Sequence, residues 1–194
     1  MTNEKGLKQF RQTITQMADI PEAEWNHVSR QLSEREFKKN QYLIQAGEIS
    51  KNFYFITRGM VRFFYSTQDG KEFNKHFAME NQFAGSMHSL SLNAPCGFYI
   101  QALEKTTTLV LPHKVMQTSY QRHPCWDRLG RKNAEYMFLF KEAREKELLL
   151  DSLETRYQRF LKNFPGISDR IAQYHIASYL GVTDVALSRI RKNL

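Results

Sequence analysis

The sequence predicts an α+β protein: an antiparallel β-roll of the double-stranded β-helix or jelly-roll type, flanked by helices, then a long helix and a C-terminal helix-turn-helix. Three observations carry that expectation. Between about Glu36 and Pro112, segments rich in Phe, Tyr, Ile and Val alternate with glycines and short polar turns. From Trp126 to Leu150 the texture is helical, with no proline and one glycine. Residues 173–194 place small and apolar side chains where two short helices would meet at a turn.

Taken in order, Leu7, Phe10, Ile14 and Met17 recur at helical spacing and predict an opening helix from about Lys5 to Met17. Pro21 suits the start of a second short helix through EAEWNHVSRQL. The strand segments are YLIQAGE (42–48), NFYFITRGMVRFFYS (52–66), FNKHFAMENQF (73–83) and FYIQALEKTTTLVLP (98–112). Gly47, Gly59, Gly70 and Gly85 fall at the breaks, and Asp69-Gly70 is a hairpin signal. About eight short strands in this space imply a roll or barrel.

The long helix would run roughly 37 Å at about 1.5 Å per residue. Leu129, Tyr136, Met137, Phe140, Ala143, Leu148 and Leu149 lie largely on one side, and Tyr136 to Phe140 is apolar all round. A small roll cannot bury so much surface, so this helix is expected to pair two copies through Leu129, Tyr136, Met137 and Phe140. A core helix packed on the roll is the plainer alternative. A further helix, ETRYQRFLKN, stops before Pro165-Gly166. The expected divisions are a sensor domain over 1–125, the dimer helix over 126–152 and a helix-turn-helix domain over 153–194.

Within the last segment, Ile176, Leu180, Val182, Leu187 and Ile190 are the apolar set that packs two helices together. Ala177 is small where the helices cross, Gly181 suits the turn, and Thr183 suits the cap of the second helix. The outward face would present Thr183, Asp184, Val185, Ser188, Arg189 and Lys192, a mixture able to reach base edges and phosphates in a major groove. A solvated helical hairpin, with Arg189 held by a carboxylate such as Glu154, is the competing reading. Asp184 would be repelled by phosphates unless it accepts from a cytosine amino group.

The chain of 194 residues is 41% hydrophobic and 25% charged, ordinary globular usage. Its net charge of +8 permits a nucleic-acid partner. The excess is not concentrated: residues 1–126 hold 15 Lys and Arg against 11 Asp and Glu. No run of apolar residues is long enough to span a membrane, and MTNEKGLKQF lacks a secretory apolar core, so a cytoplasmic location is expected. Two cysteines, Cys96 and Cys125, cannot build a disulfide framework or a four-cysteine metal site.

The whole chain resembles the Crp–Fnr superfamily of bacterial transcription regulators. The order matches: leading helix, cyclic-nucleotide-binding-type roll, dimer helix, helix-turn-helix. The residues that carry it are Tyr42 to Glu48 (YLIQAGE), Phe53 to Gly59 (FYFITRG), Asp69 to Glu72 (DGKE), Asn81 to Gly85 (NQFAG) and Leu187 to Ile190 (LSRI). RYQRFLK and the short ending resemble members common in Bacteroidetes. The resemblance implies a homodimer on a double-stranded DNA operator, with RNA polymerase a further candidate partner and no membrane contact.

Two departures qualify it. Cyclic-nucleotide binders of the family carry Gly-Glu-Leu, then Arg-Ser-Ala about eleven residues later, to hold ribose and phosphate. Here Ser86 falls in the Glu position and Cys96-Gly97-Phe98 replace Arg-Ser-Ala, with no Arg or Lys between Gly85 and Leu103. Without a cation a buried phosphate is poorly solvated, so cyclic AMP and cyclic GMP are not expected as effectors and no cofactor is implied. The loop residues Gly85, Ser86, Met87, Cys96, Gly97, Phe98 and Tyr99 remain the candidate lining for another effector. The second departure is the absence of a full β-hairpin wing before Leu194.

Enzymatic chemistry has little support. The six histidines form no His-x-His or His-x-x-x-His pair, although His76 and His88 fall in the roll, where they could approach each other or Cys96. No nucleophile elbow, phosphate loop or dinucleotide fingerprint is present. No catalytic or metal residue is therefore assigned. The alternative function is a dimeric small-molecule sensor that acts through a protein partner and keeps a vestigial helix-turn-helix.

Overall fold

The computed structural model describes residues 4–192. Helices α1 (Glu4–Thr15) and α2 (Glu22–Ser29) lead into eight strands: β1 (Ser33–Phe37), β2 (Tyr42–Ile44), β3 (Asn52–Arg58), β4 (Val61–Ser66), β5 (Glu72–Ala78), β6 (Phe83–Ala84), β7 (Tyr99–Ala102) and β8 (Thr106–Pro112). A short helix α3 (Met87–Leu92) lies between β6 and β7. After the strands come α4 (His113–Arg122), α5 (Pro124–Leu150), α6 (Leu153–Asn163), α7 (Gln173–Leu180) and α8 (Asp184–Lys192).

The strands form two open antiparallel sheets, in the orders β1-β8-β3-β6 and β2-β7-β4-β5. Side chains from both, among them Phe37, Tyr54, Ile56, Val61, Phe63, Ile100 and Val110, make one apolar layer between them. The outer face of the first sheet is covered by α1, α2, α4 and the start of α5, where Phe10, Trp25, Phe55, Leu109 and Trp126 pack. The outer face of the second sheet meets α6, α7 and α8. With both faces buried, β8 is apolar or hydroxylated along nearly its whole length instead of alternating with charges.

Three elements escape the sequence pattern. Strand β1 reads as the charged run SEREF, yet pairs with β8 from Ser33↔Val110 to Phe37↔Thr106. It is an edge strand, where exposed charges discourage pairing with another chain. Helices α3 and α4 were not legible as strand or long helix. The long helix begins two residues ahead of Trp126, because Pro124 fits the first turn and the His123 ring accepts from the Cys125 amide (3.1 Å).

Gly59 turns the chain between β3 and β4 at φ +92°, and a Cβ there would stand 2.7 Å from the Lys105 carbonyl oxygen. Gly85 marks a different need: its φ is not positive, but a Cβ would meet the Phe53 ring at 2.7 Å.

Candidate nucleic-acid interface and ligand loop

The helix-turn-helix is built as its sequence spacing demands. Ile176, Ala177, Leu180 and Leu187 are buried between α7 and α8, with Val182 and Ile190 packed against them. Gly181 ends α7 in the left-handed region, at φ 72°. Thr183 Oγ1 accepts from the Ala186 amide (3.3 Å) at the start of α8. The carbonyls at the end of α7 are met by arginines: Arg144 of α5 donates to Tyr179 O and Arg156 of α6 to Leu180 O (2.8 Å). Positive charge at a helix C-terminus also complements its dipole.

The outer face of α8 is open. Thr183, Asp184, Val185, Arg189 and Lys192 are exposed, Val185 at 62%, while Ser188 is half-buried. Arg189 makes no ion pair among the described residues, so the reading that tied it to Glu154 is not what the structure shows. Arg191 is occupied by Gln173 Oε1 (3.1 Å), whose amide nitrogen in turn donates to Asp184 O (3.3 Å). That clasp fixes the N-terminus of α7 beside the N-terminus of α8. The presence or absence of a wing concerns residues beyond Lys192, outside those described.

The helix-turn-helix is docked on the roll through a polar network that the hydrophobic pattern does not reveal. Arg62 on β4 is buried, with its guanidinium on Gln101 Oε1 (2.6 and 2.9 Å) and on Glu72 Oε2 (2.6 Å). It also faces His175 Nδ1 of α7 at 3.5 Å. Asn74 on β5 donates through its side chain to His175 Nδ1 (3.2 Å) and to the His175 carbonyl (3.0 Å). Its amide donates to Ser178 Oγ (2.9 Å), which donates to Glu72 O (3.1 Å). The available signal was a charged residue, Arg62, set between apolar neighbours in a strand.

Two donors aimed at Nδ1 require a neutral imidazole. Burial pushes the His175 pKa down to about 4, with the Arg62 and Lys39 charges adding to it. His76 on β5 is held down to about 4 as well, by burial and then by Lys75 and Lys141. Its Nδ1 is buried without a partner, and its ring faces Phe63, Phe140 and Phe164. His88 is exposed on α3, so the two histidines are not drawn together. Among the described residues no cluster of three His, Cys, Asp or Glu could hold a metal ion.

The ligand-loop residues are scattered in environment. Ser86 is buried and caps α3 by accepting from the Ser89 amide (3.3 Å), while Met87 is 58% exposed. Cys96 is buried in the layer between the sheets, and Gly97 is exposed. Gly47 N donates to Cys96 O and Cys96 N to Glu48 O, both at 2.8 Å, which ties the loop to the β2–β3 turn. Phe98 packs on Phe63 and under the Lys75 ammonium (4.1 Å), and Tyr99 stacks on Phe64. An open cleft of about 320 Å³ lies elsewhere, among Arg35, Tyr42, Ile44, Glu48 and Lys51.

On the long helix, Leu129 is a correction: it is buried in the chain's own core with Trp126 and Val115, because α4 packs on that part of α5. Phe140 is half-buried against His76 and Phe164, and Met137 is half-buried. Tyr136 is exposed, as are Phe138 (67%), Leu139 (61%), Leu149 (74%) and Leu150 (74%). Phe138, Glu145 and Leu149 share one face at helical spacing.

The roll is continued by one long helix into a helix-turn-helix. The fold is that of the Crp–Fnr regulators, and residues 34–123 match the cyclic nucleotide-binding domain family. The chain is similar to FixK2 from Bradyrhizobium japonicum, with TM-score 0.71, 18% identity and 84% of each chain covered. It is also similar to the c-di-GMP responsive global regulator CLP of Xanthomonas campestris, with TM-score 0.67, 13% identity and 89% and 91% covered. A Crp/Fnr-family protein from Eubacterium rectale gives TM-score 0.70, 16% identity and 90% and 83% covered. No curated protein sequence matches the chain.

Docking of α7 should weaken in acid. A histidine whose pKa is depressed on folding contributes fully above its unfolded value of 6.5, and the contribution is lost as pH falls towards 4. His175→Asn keeps an acceptor near Nδ1 and cannot titrate. Thermal melts at pH 7.5 and 5 should show a smaller acid loss in that variant than in the unaltered protein. An equal loss would place the acid sensitivity elsewhere, at His76 or His113, whose pKa values burial also lowers.

Proposed function

We propose that this protein is a dimeric, DNA-binding transcriptional regulator of the Crp–Fnr type, without enzymatic activity. The observation that carries the reading is the outer face of α8, where Arg189 and Lys192 are exposed and make no ion pair among the described residues, on a packed helix-turn-helix. Its fold neighbours include proteins named as regulators, CLP and the Eubacterium rectale protein among them. Among the described residues no helix is long and apolar enough to cross a membrane, and we propose a cytoplasmic location.

The test uses duplex containing a selected site. Arg189→Ala should cost about 1–3 kcal/mol and relax the preference at one base pair per half-site, because a guanidinium pairs bidentately with guanine O6 and N7. Lys192→Ala should weaken all sequences alike and flatten the salt dependence by about one unit for each protomer bound. An Arg189→Ala protein with lowered melting temperature and unchanged base preference would instead mark the residue as structural.

Two-fold reading needs two copies. Phe138 and Leu149 are large apolar side chains left exposed on one face of α5, with Glu142 and Glu145 between them, and a second copy would take them out of water. Phe138→Glu should shift sedimentation towards the monomer and lower operator affinity while the far-UV circular dichroism is unchanged. A monomeric unaltered protein at micromolar concentration would contradict the dimer.

The roll is read as responding to an effector other than a cyclic nucleotide, or to none. Ser86 is committed to capping α3, Cys96 is buried between the sheets, and the loop from Gly85 to Leu103 holds no cation. Calorimetric titration with cyclic AMP and cyclic GMP should show no saturable heat; micromolar binding would refute this part of the reading. The protein-partner alternative is favoured by no specific contact in the structure.

A further inference from the structure

Half of the excess positive charge lies outside the reader unit. Residues 1–126 carry 15 basic against 11 acidic side chains. Part of it sits on one tight turn between β1 and β2, Lys38–Gln41. Gln41 N donates to Lys38 O (3.0 Å), Lys38 N donates to Gln41 Oε1 (3.0 Å), and Asn40 N donates to Ala102 O (2.8 Å). Asn40 takes the left-handed region at φ 68°, which asparagine tolerates better than most residues. The turn is therefore held in one shape, and its two adjacent lysines are exposed.

Neither lysine has a carboxylate among the described residues. Glu36 on β1 is taken by Lys105 (3.1 Å) and Arg58 (3.9 Å), and Glu72 by Arg62 (2.6 Å). The turn is also wired to the reader. Gln101 Nε2 donates to Asn40 O (2.9 Å), Gln101 Oε1 accepts from Arg62, and Arg62 faces His175 in the first half of α7. Lys39 is near enough for its charge to act on His175. The same end of α7 is clasped to the N-terminus of α8 through Gln173. In a helix-turn-helix the first helix crosses the phosphate backbone while the second enters the groove.

We propose that the Lys38–Lys39 turn is a second nucleic-acid contact, holding phosphates of the duplex that flanks the base pairs read by α8. Rigid presentation matters here. A lysine on a fixed turn loses little further backbone freedom when it meets a phosphate, and each neutralised phosphate releases counterions. The contact carries no base information; it lengthens the footprint and strengthens the salt dependence.

This inference rests on the DNA-reading role proposed above, and the experiment separates the two. Full-length protein is titrated over a range of salt with two duplexes bearing one selected site. One duplex covers only the two half-sites, about 20 base pairs, and the other extends to about 40. Lys38→Gln with Lys39→Gln should lower affinity for the long duplex about tenfold and flatten its salt slope by about two units for each protomer engaged, with the short duplex affected far less. The control removes equal charge from α4 and α5, Lys114→Gln with Lys132→Gln, and should leave the difference between the duplexes intact. Unchanged affinity and slope on the long duplex overturn the inference while base-specific binding stands. Equal losses on both duplexes also overturn it. No site-specific binding by the unaltered protein removes the DNA-reading role and this contact together.

Discussion

The rest of the structure depends on one aromatic seam between the roll and the reader. Phe77, on the outer face of β5, has its ring 5.6 Å from Tyr179 of α7, 5.7 Å from Phe164 and 6.1 Å from Phe160 of α6. Met60 and Leu103 of the roll join the same core, which continues to Leu187 of α8. Neither side is complete alone. Without α6 and α7 the second sheet would expose its apolar outer face, and without β5 the helix-turn-helix would expose Tyr179 and Phe164. The two parts of the chain are thus one core in two segments, and the position of α8 is set from the roll.

Apolar contact is non-directional, so the seam alone would leave the reader free to slide. The polar side of the interface supplies direction. Arg62 and Asn74 meet His175 and Ser178 across it, Gln101 holds the Arg62 guanidinium from the roll side, and Arg170 reaches back to Glu80 (3.0 Å) and to Glu104. Glu80 also accepts from the Gly59 amide at the β3–β4 turn (2.8 Å). A buried network of this kind favours one registry because sliding α7 along β5 would break the hydrogen bonds of Asn74 to His175 and Ser178 at once. Strands β4 and β5 are thereby hydrogen-bonded directly to α7, with no part of the long helix between them.

Much of the architecture was legible because it rests on periodicity. The opening helix and the helix-turn-helix each bury a regular stripe, the long helix runs without a proline after its first turn, and the glycines at 47, 59 and 70 all adopt positive φ where the chain turns. What was missed has physical reasons. Strand β1 is an edge whose charges serve solvent, so SEREF carries no strand alternation. Helix α4 presents only Val115, Met116 and Ser119 to the core, too short a stripe to separate from a loop. Periodicity shows which residues share a face, not what covers it: Leu129 lies under α4, and Phe140 turns towards His76. The docking residues were invisible for the same reason, since a lone Asn74 or His175 reads as solvated until the second segment is placed beside it.

The central claim is that a helix-turn-helix held on the roll reads double-stranded DNA with two-fold symmetry. The most direct measurement is selection of sites by the full-length protein from a pool of random-sequence duplex at moderate salt. The account predicts enrichment of a two-fold related pair of half-sites, with centres about one helical turn, ~34 Å, apart. Binding that enriches no sequence and disappears as salt rises would show only a basic surface, and would contradict it.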